Sequence, residues 1–533
     1  MLLYAVIFVS GGAILALELL ASRIMMPYFG VSLYIWTGIL SITLVALAIG
    51  YWLGGVLAAR RSAEVTPGRL LQLYALMPAL AGLALVAACF AYPQAFATLA
   101  AGSLLAGAFA ACLVLLFVPL VAASAMNPLL VAILVRRQHT GGIGDAGAGR
   151  VFFVSTVGSV AGVIVTAFAI IPHMSNFTAV LGIAIVLASL AIALVAFARE
   201  RVAGKPLVTA TATGAIALGA LLLWNADGHT GRAGAFAYAG TTWRVEAAYS
   251  SLFGTVKVLR QVTSEPQFLR MYFHDGLTQN TADSAGRSTS FYTYALEALA
   301  RAYSPGLRSA LVLGLGAGMV PMALARSGVS TAVVDIDPNA PRAARTYFGF
   351  DPSAVRTHLT DARTFVRRCD GGYDVVIVDL FHGDGTPDYL VTRDFFADLK
   401  RCLGARGVAV FNTFADLDRP QAYAHVLATI RSELPHLALH RPPSHGPHVN
   451  SFVVASAHPL AAPAKVTLSY LPPRHADTLW TMLSAPAPLT PELATGGTVV
   501  TDAVNRAAHD FAQTQMIYRK TVVRDAPAAL LVN

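Results

Sequence analysis

Residues Ser309–Asp337 read SALVLGLGAGMVPMALARSGVSTAVVDID, and this stretch decides the fold of the second half of the chain. An apolar strand (Ala310–Leu313) runs into a turn with glycine at 314, 316 and 318, then a helix, then a second strand ending on Asp335. Alternate glycines let the backbone turn sharply and approach a ligand with no Cβ in the way. The helix that follows offers unpaired N–H groups to that ligand. An acid about 20 residues past the turn can accept both hydroxyls of a ribose. Gly314, Gly316, Gly318 and Asp335 are therefore candidate nucleoside-binding residues. A tight strand–helix turn gives the same glycines in any α/β protein; the flanking strands and the closing acid favour the nucleoside.

Downstream the βα order repeats. Thr331–Asp335, Val355–Leu359, Tyr373–Asp379 and Gly407–Asn412 are strand-like, with helical stretches between them. That predicts a doubly wound, Rossmann-like sheet whose ligands sit at the C-terminal strand ends. Acids collect at those ends: Asp335, Asp361 in TDAR, and Asp379 closing YDVVIVDL. Asp361 reads equally as a helix N-cap before ARTFVRR. A carboxylate at the tip of a buried strand is expensive without a purpose, which points to function at Asp379. His382, Asp384 and Asp388 follow in FHGDGTPDYL; they line a site, or Gly-Asp-Gly is turn chemistry.

Upstream, Trp243–His274 alternates in the manner of strands (WRVEAAY, TVKVLRQV, FLRMYFHD), which predicts a small antiparallel sheet. GLTQNTADSAGRSTS then reads as a loop and FYTYALEALARAY as a helix.

The first half has a different character. The chain has 533 residues, 56% hydrophobic and only 13% charged, with a mean hydropathy of +0.59, and the apolar excess lies before Trp224. Seven stretches approach the ~20 apolar residues a bilayer crossing needs: Leu2–Ala21, Ser32–Ala58, Leu70–Tyr92, Leu99–Ala123, Val151–Ile171, Ala179–Phe197 and Leu207–Trp224. The first lacks a basic leader and a cleavage site, so it reads as a retained span. Pro128 is expected to break the helix after Ala123, leaving a bent or half-length continuation. The boundaries predict a membrane domain (1–224), a Gly/Ala-rich linker (225–242), a small β-domain (243–290), a nucleoside-binding domain (291–465) and a C-terminal extension (466–533).

The net charge of +9 comes with no basic stripe interleaved with aromatics, which sets nucleic acid aside. Arg60, Arg61 and Arg69, then Arg136, Arg137 and Arg150, then Arg199, Arg201 and Lys205 mark three loops, while Tyr92–Phe96 and Pro172–Asn176 carry neither Lys nor Arg. The positive-inside rule makes the basic loops cytoplasmic, and seven spans would then deliver the C-terminal half outside. Nucleotide cosubstrates are cytoplasmic, so a bacterial-type inner-membrane protein with a cytoplasmic soluble domain is the expectation on biochemical grounds. Glu18 and Arg23 in the first span are either functional or a salt bridge fixing the bundle. Gly50–Gly54–Gly55 and Gly158–Gly162 fit close helix packing. Cys89 and Cys112 lie in apolar runs, Cys369 and Cys402 stand apart, and no CxxC pair exists; neither a disulfide framework nor a cysteine zinc site is expected.

As a set, HDGLTQ, the aromatic helix after it, LVLGLGAG, VVDID, TDAR and YDVVIVDLF…YLVTRDFF resemble the polyamine aminopropyltransferases, the spermidine synthase family, over Trp243 to Ala455. ELLASR (Glu18–Arg23) and GYWLGG (Gly50–Gly55) fit its membrane-fused branch, and GGTVVTDAVNRAAHDF resembles a family tail. The resemblance implies a small β-domain before a Rossmann-like core, a homodimer, and no prosthetic group. It implies decarboxylated S-adenosylmethionine as cosubstrate, an amine acceptor and methylthioadenosine as product. It also implies ribose binding by Asp335, adenine recognition by Asp361, a catalytic carboxylate at Asp379, and site roles for Gln279 and Tyr292. Three departures stand out: Ala317 where the family has an aspartate clamping the donor's amine, His382 in place of a second carboxylate, and PPSHGPHVN (Pro442–Asn450) in place of a tyrosine-bearing loop. These leave room for a methyltransferase or lyase using intact S-adenosylmethionine, for a polyamine or nucleoside transporter or sensor, or for a scaffold with a decayed site.

Overall fold

A computed structural model describes residues 1–30, 33–59, 66–137, 147–197, 202–380, 386–443, 448–505 and 507–533. The chain divides into two compact units, Met1–Phe236 with Lys520–Asn533, and Ala237–Arg519.

Among the described residues, the first unit contains seven helices long and apolar enough to cross a bilayer: α1 (Leu2–Phe29), α2 (Ile35–Ala59), α3 (Pro67–Gly102), α4 (Leu104–Arg136), α5 (Ala148–Ile170), α6 (Asn176–Phe197) and α7 (Lys205–Trp224). Two boundaries differ from expectation. Leu99–Gly102 belongs to α3, because Ser103 is extended and its side chain caps the next helix through the Ala106 N–H. Pro128 lies inside a helix that continues to Arg137. A proline removes one amide donor, a loss that packed neighbouring helices tolerate within a bundle.

Glycine decides how closely two helix pairs approach. A Cβ at Gly158 or Gly162 of α5 would be driven into the backbone carbonyls of Phe8 and Gly12 on α1. Gly50 and Gly54 of α2 likewise face the Val121 and Ala125 carbonyls of α4, whereas Gly55 has nothing within 4 Å and is no part of that packing. Glu18 is half-buried on α1, and Arg23 is 7% exposed.

The second unit carries two sheets. A five-stranded sheet runs in chain order: β1 (Ala235–Tyr238), β2 (Thr241–Ser251), β3 (Gly254–Gln261), β4 (Leu269–His274) and β5 (Leu277–Asp283). β1 arises within the expected linker and β5 within the expected loop. The polar sequence of β5 hid it, but Asp275 and Gly276 both take positive φ, +44° and +91°. A two-residue turn of that kind closes a tight hairpin, and β5 then pairs antiparallel with β4.

The larger sheet holds β6 (Ser309–Leu313), β7 (Ser330–Asp335), β8 (Arg356–Leu359), β9 (Tyr373–Val378), β10 (Leu403–Asp416), β11 (His436–His440) and β12 (His448–Ser456), ordered β11-β12-β10-β9-β6-β7-β8. β8, β7, β6, β9 and β10 run parallel, and β12 and β11 add an antiparallel edge. Alternate residues serve opposite faces. Val312 and Ile377 pack with helix α8 (Phe291–Tyr303) on one side. Leu311 and Val376 pack with α12 (Arg393–Cys402) and α13 (Gln421–Glu433) on the other. Between them in chain order come α9 (Met319–Arg326), α10 (Asn339–Tyr347) and α11 (Ala362–Arg367). Strand order reverses between β6 and β9. Ligands of such sheets bind at that point, beyond the C-terminal strand ends.

Cys369 and Cys402 are not isolated. They follow α11 and close α12, their Cα atoms lie 5.3 Å apart, and they form a disulfide.

Candidate functional site

The switch point is where the glycine turn and the strand-tip acids come together. Gly314, Gly316 and Gly318 have φ of +100°, +51° and +77°, a region that costs any other residue strain. Gly314 also has no room for a side chain: a Cβ there would be driven into the Asp379 carbonyl. The end of β6 is tied to both neighbouring strands here, since Gly314 N–H donates to Val334 O of β7 and Asp379 N–H, after β9, to Leu313 O, each at 2.8 Å.

Asp335 ends β7 beside this turn. Its Oδ2 accepts the Leu315 N–H and its Oδ1 the Asp337 N–H, both at 2.8 Å. The carboxylate therefore braces the turn itself and still has lone pairs for a ribose. Burial raises its pKa, opposed by those two N–H donors.

Asp379 follows β9 and is half-buried. Burial pushes its pKa up to about 6, opposed by a hydrogen bond from Asn412. Asn412 Nδ2 donates to Asp379 Oδ1 at 2.8 Å, and Asn450 Nδ2 donates to Asn412 Oδ1 at 3.2 Å. Both amides lie in strands, Asn412 in β10 and Asn450 in β12. This relay was missed from the sequence. The available signal was GVAVFN, an apolar strand ending on an amide one residue past the Phe411–Val378 register pair. Beside the strand tip opens a cavity of about 70 Å³ bordered by Val378, Asn412, Phe396, Phe414, Asp416 and Tyr423.

Tyr292, on α8, accepts a hydrogen bond from Asn280 Nδ2 at 3.2 Å. Burial and the nearby Asp379 charge raise its pKa, so the phenol stays protonated and able to donate. Gln279 sits half-buried on β5, next to Asn280.

Asp361 serves as a helix cap: its Oδ2 accepts the Thr364 N–H at 2.8 Å, and its Oδ1 accepts the Tyr389 hydroxyl at 3.1 Å. The two readings of this residue separate experimentally. Asp361→Ser preserves a cap and should leave the melting temperature within about 2 °C. If Asp361 also holds adenine, the same change weakens binding of adenosine compounds by about 10–100-fold, the worth of a hydrogen bond to a charged group. Calorimetry on the purified chain checks this; unchanged affinity leaves the cap as its sole role.

Two of the departures bear on the site. Ala317 is 4% exposed and packs with Val256, Val258, Tyr272 and Phe348. Asn450, at the end of PPSHGPHVN, supports Asn412. His382 and Asp384 lie outside the described residues, while Asp388 opens a short helical turn whose backbone carbonyl accepts Asn505 Nδ2. In the tail, Asp502 pairs with Arg363 of α11, two residues from Asp361.

Residues 289–438 match the spermine/spermidine synthase domain family. A polyamine aminopropyltransferase of Vibrio vulnificus is 38% identical over 136 residues, covering 24% of this chain and 44% of that protein. One from Mycobacterium tuberculosis is 30% identical over 326 residues, covering 57% of this chain and 59% of the relative. The chain thus spans about half the length of the curated relatives it matches. Among solved structures, a probable spermidine synthase from Corynebacterium glutamicum aligns at a TM-score of 0.40 and 20% identity, over 49% of this chain and 97% of that one.

Proposed function

Because residues 289–438 belong to the spermine/spermidine synthase domain family, we propose that this chain is a membrane-anchored aminopropyltransferase. It would move an aminopropyl group from decarboxylated S-adenosylmethionine to an amine. The acceptor nitrogen attacks the carbon next to the sulfonium, the carbon–sulfur bond breaks, and sulfur keeps the electron pair as neutral methylthioadenosine. The new nitrogen sheds a proton.

The observation that carries this reading is Asp379, held at the switch point by Asn412 and raised to about 6 by burial. A carboxylate there can attract the acceptor's ammonium form, orient the nitrogen in line, and take the proton as the bond forms. Its charge also favours the sulfonium in its binding place. Asp335, the glycine turn and Gln279 would hold the nucleoside, and Tyr292 would supply a hydrogen bond beside the carboxylate.

One observation favours a second reading, a methyltransferase using intact S-adenosylmethionine. With Ala317 buried among apolar side chains, the glycine turn presents no carboxylate to a donor's amino group. Incubating the detergent-purified full chain with either donor and a panel of amines separates the two. Methylthioadenosine from the decarboxylated donor, formed together with the aminopropylated amine, supports aminopropyl transfer; S-adenosylhomocysteine overturns it in favour of the second reading, and methylthioadenosine from the intact donor alone overturns it too. Neither product from either donor rejects both.

A further inference from the structure

The helical unit has two distinguishable ends. α2 closes and α3 opens at one of them, as do α4 and α5, and α6 and α7. Ala203 N–H donates to Gly68 O at 3.1 Å there, joining the first and third of these connections. Of the ten Lys and Arg residues before Trp224, nine flank these three connections: Arg60, Arg61, Arg69, Arg136, Arg137, Arg150, Arg199, Arg201 and Lys205. Arg23, buried within α1, and Arg232, eight residues past α7, are the two that lie toward the other end of this unit before the chain leaves it, against nine at the first end.

That other end is where the chain leaves the helical unit and where it returns. After α7, the His229 ring lies 5.3 Å from the ring of Phe177, in the first turn of α6. At the return, Lys520 Nζ donates to Gly102 O, at the close of α3, at 2.7 Å. Asn533 O accepts the Phe177 N–H at 3.0 Å, and Asn533 Nδ2 donates to Arg23 O at 3.0 Å. The seventh helix thus runs the length of the unit, from the first end to the other. Lys520 and Arg524 rejoin this end only after residues 237–519, beyond the short loops whose charge sets orientation.

A second observation is independent of charge. Cys369 and Cys402 are joined in the Ala237–Arg519 unit, and such bonds persist in oxidising compartments and are rare in the cytosol.

We infer that the Ala237–Arg519 unit faces the extracytoplasmic, oxidising side of the membrane. Where the proposed reaction holds, and on that reading alone, a transport step across the bilayer has to precede turnover to deliver the charged adenosyl donor made inside the cell.

The test uses the full chain in its membrane. Glu265 is exposed in the small sheet's loop, and Ser62 lies in sequence between α2 and α3, next to Arg60 and Arg61. In intact cells a membrane-impermeant maleimide should label Glu265→Cys and spare Ser62→Cys; the reverse pattern overturns the inference. Wild-type protein, alkylated on acid quench and digested without reductant, should yield the Cys369–Cys402 linked peptide. Both thiols recovered free and alkylated overturns it equally, and this arm needs no variant to fold. Labelling reads orientation whether or not the chain turns over any donor, so failure here is distinct from failure of the proposed activity.

Discussion

Asp379→Asn should lower turnover by about 10²–10⁴-fold, the usual range for removing a positioned acid or base, while nucleoside binding stays intact. Asparagine keeps the size of the side chain and an oxygen to accept from Asn412, so the relay to Asn450 survives. Only the proton-accepting charge is lost. The pH profile gives a second readout. With a pKa of about 6, the wild-type carboxylate is mostly protonated below that value, and kcat/KM should fall tenfold per pH unit there and level off above it. The variant's residual activity should lack that limb. The stability sign is opposite. A pKa raised on folding means the folded chain prefers the neutral acid, so this group's contribution is full below the ordinary carboxylate range and is lost as pH rises through 6. At pH 8 the variant should therefore equal or exceed wild type, by up to about 3 kcal/mol for two pKa units. Unchanged turnover would remove Asp379 as the base.

Gly314→Ala should damage both folding and activity. It places a side chain at φ +100° and drives it against the Asp379 carbonyl. Strain of about 1–3 kcal/mol and a comparable overpacking cost add at one site, enough to lower the melting temperature by about 5–10 °C. Because the clash is with Asp379 itself, turnover should fall by more than the loss of folded protein explains. Gly316→Ala is the control. Its φ is +51° and a Cβ there meets nothing within 4 Å, so only the smaller strain applies. Equal effects of the two changes would mean that the crowding between Gly314 and Asp379 is unimportant.

How much of this was legible in the sequence depends on the distance over which each feature is specified. Local patterns read well. The helix Phe291–Tyr303 and the strands of the glycine-turn region match because apolar periodicity and glycine punctuation act within a few residues. β5 was hidden because LTQNTAD is polar and its identity as a strand comes from pairing with β4; only Asp275-Gly276 hinted at it. β10 runs from Leu403 to Asp416, well past the apolar GVAVFN, because its polar end continues to pair with β12. Asp335 and Asp379 were visible as acids on strand tips. The Asn412–Asn450 relay was not, since its partners are 38 residues apart. The Cys369–Cys402 link, 33 residues apart, was out of reach for the same reason. Asp361 shows the remaining kind of ambiguity, a residue whose capping role is fully satisfied and yet leaves lone pairs over.

The return of residues 520–533 to the helical bundle changes what kind of appendage the α/β unit is. Leu530, Leu531 and Val532 are at most 1% exposed within their unit, so the polypeptide is moored at two points and forms a closed span. A protease that nicks an exposed turn of a singly attached globule sets it adrift. Here one nick leaves both fragments fastened to the helical unit, and release demands a cut on either side.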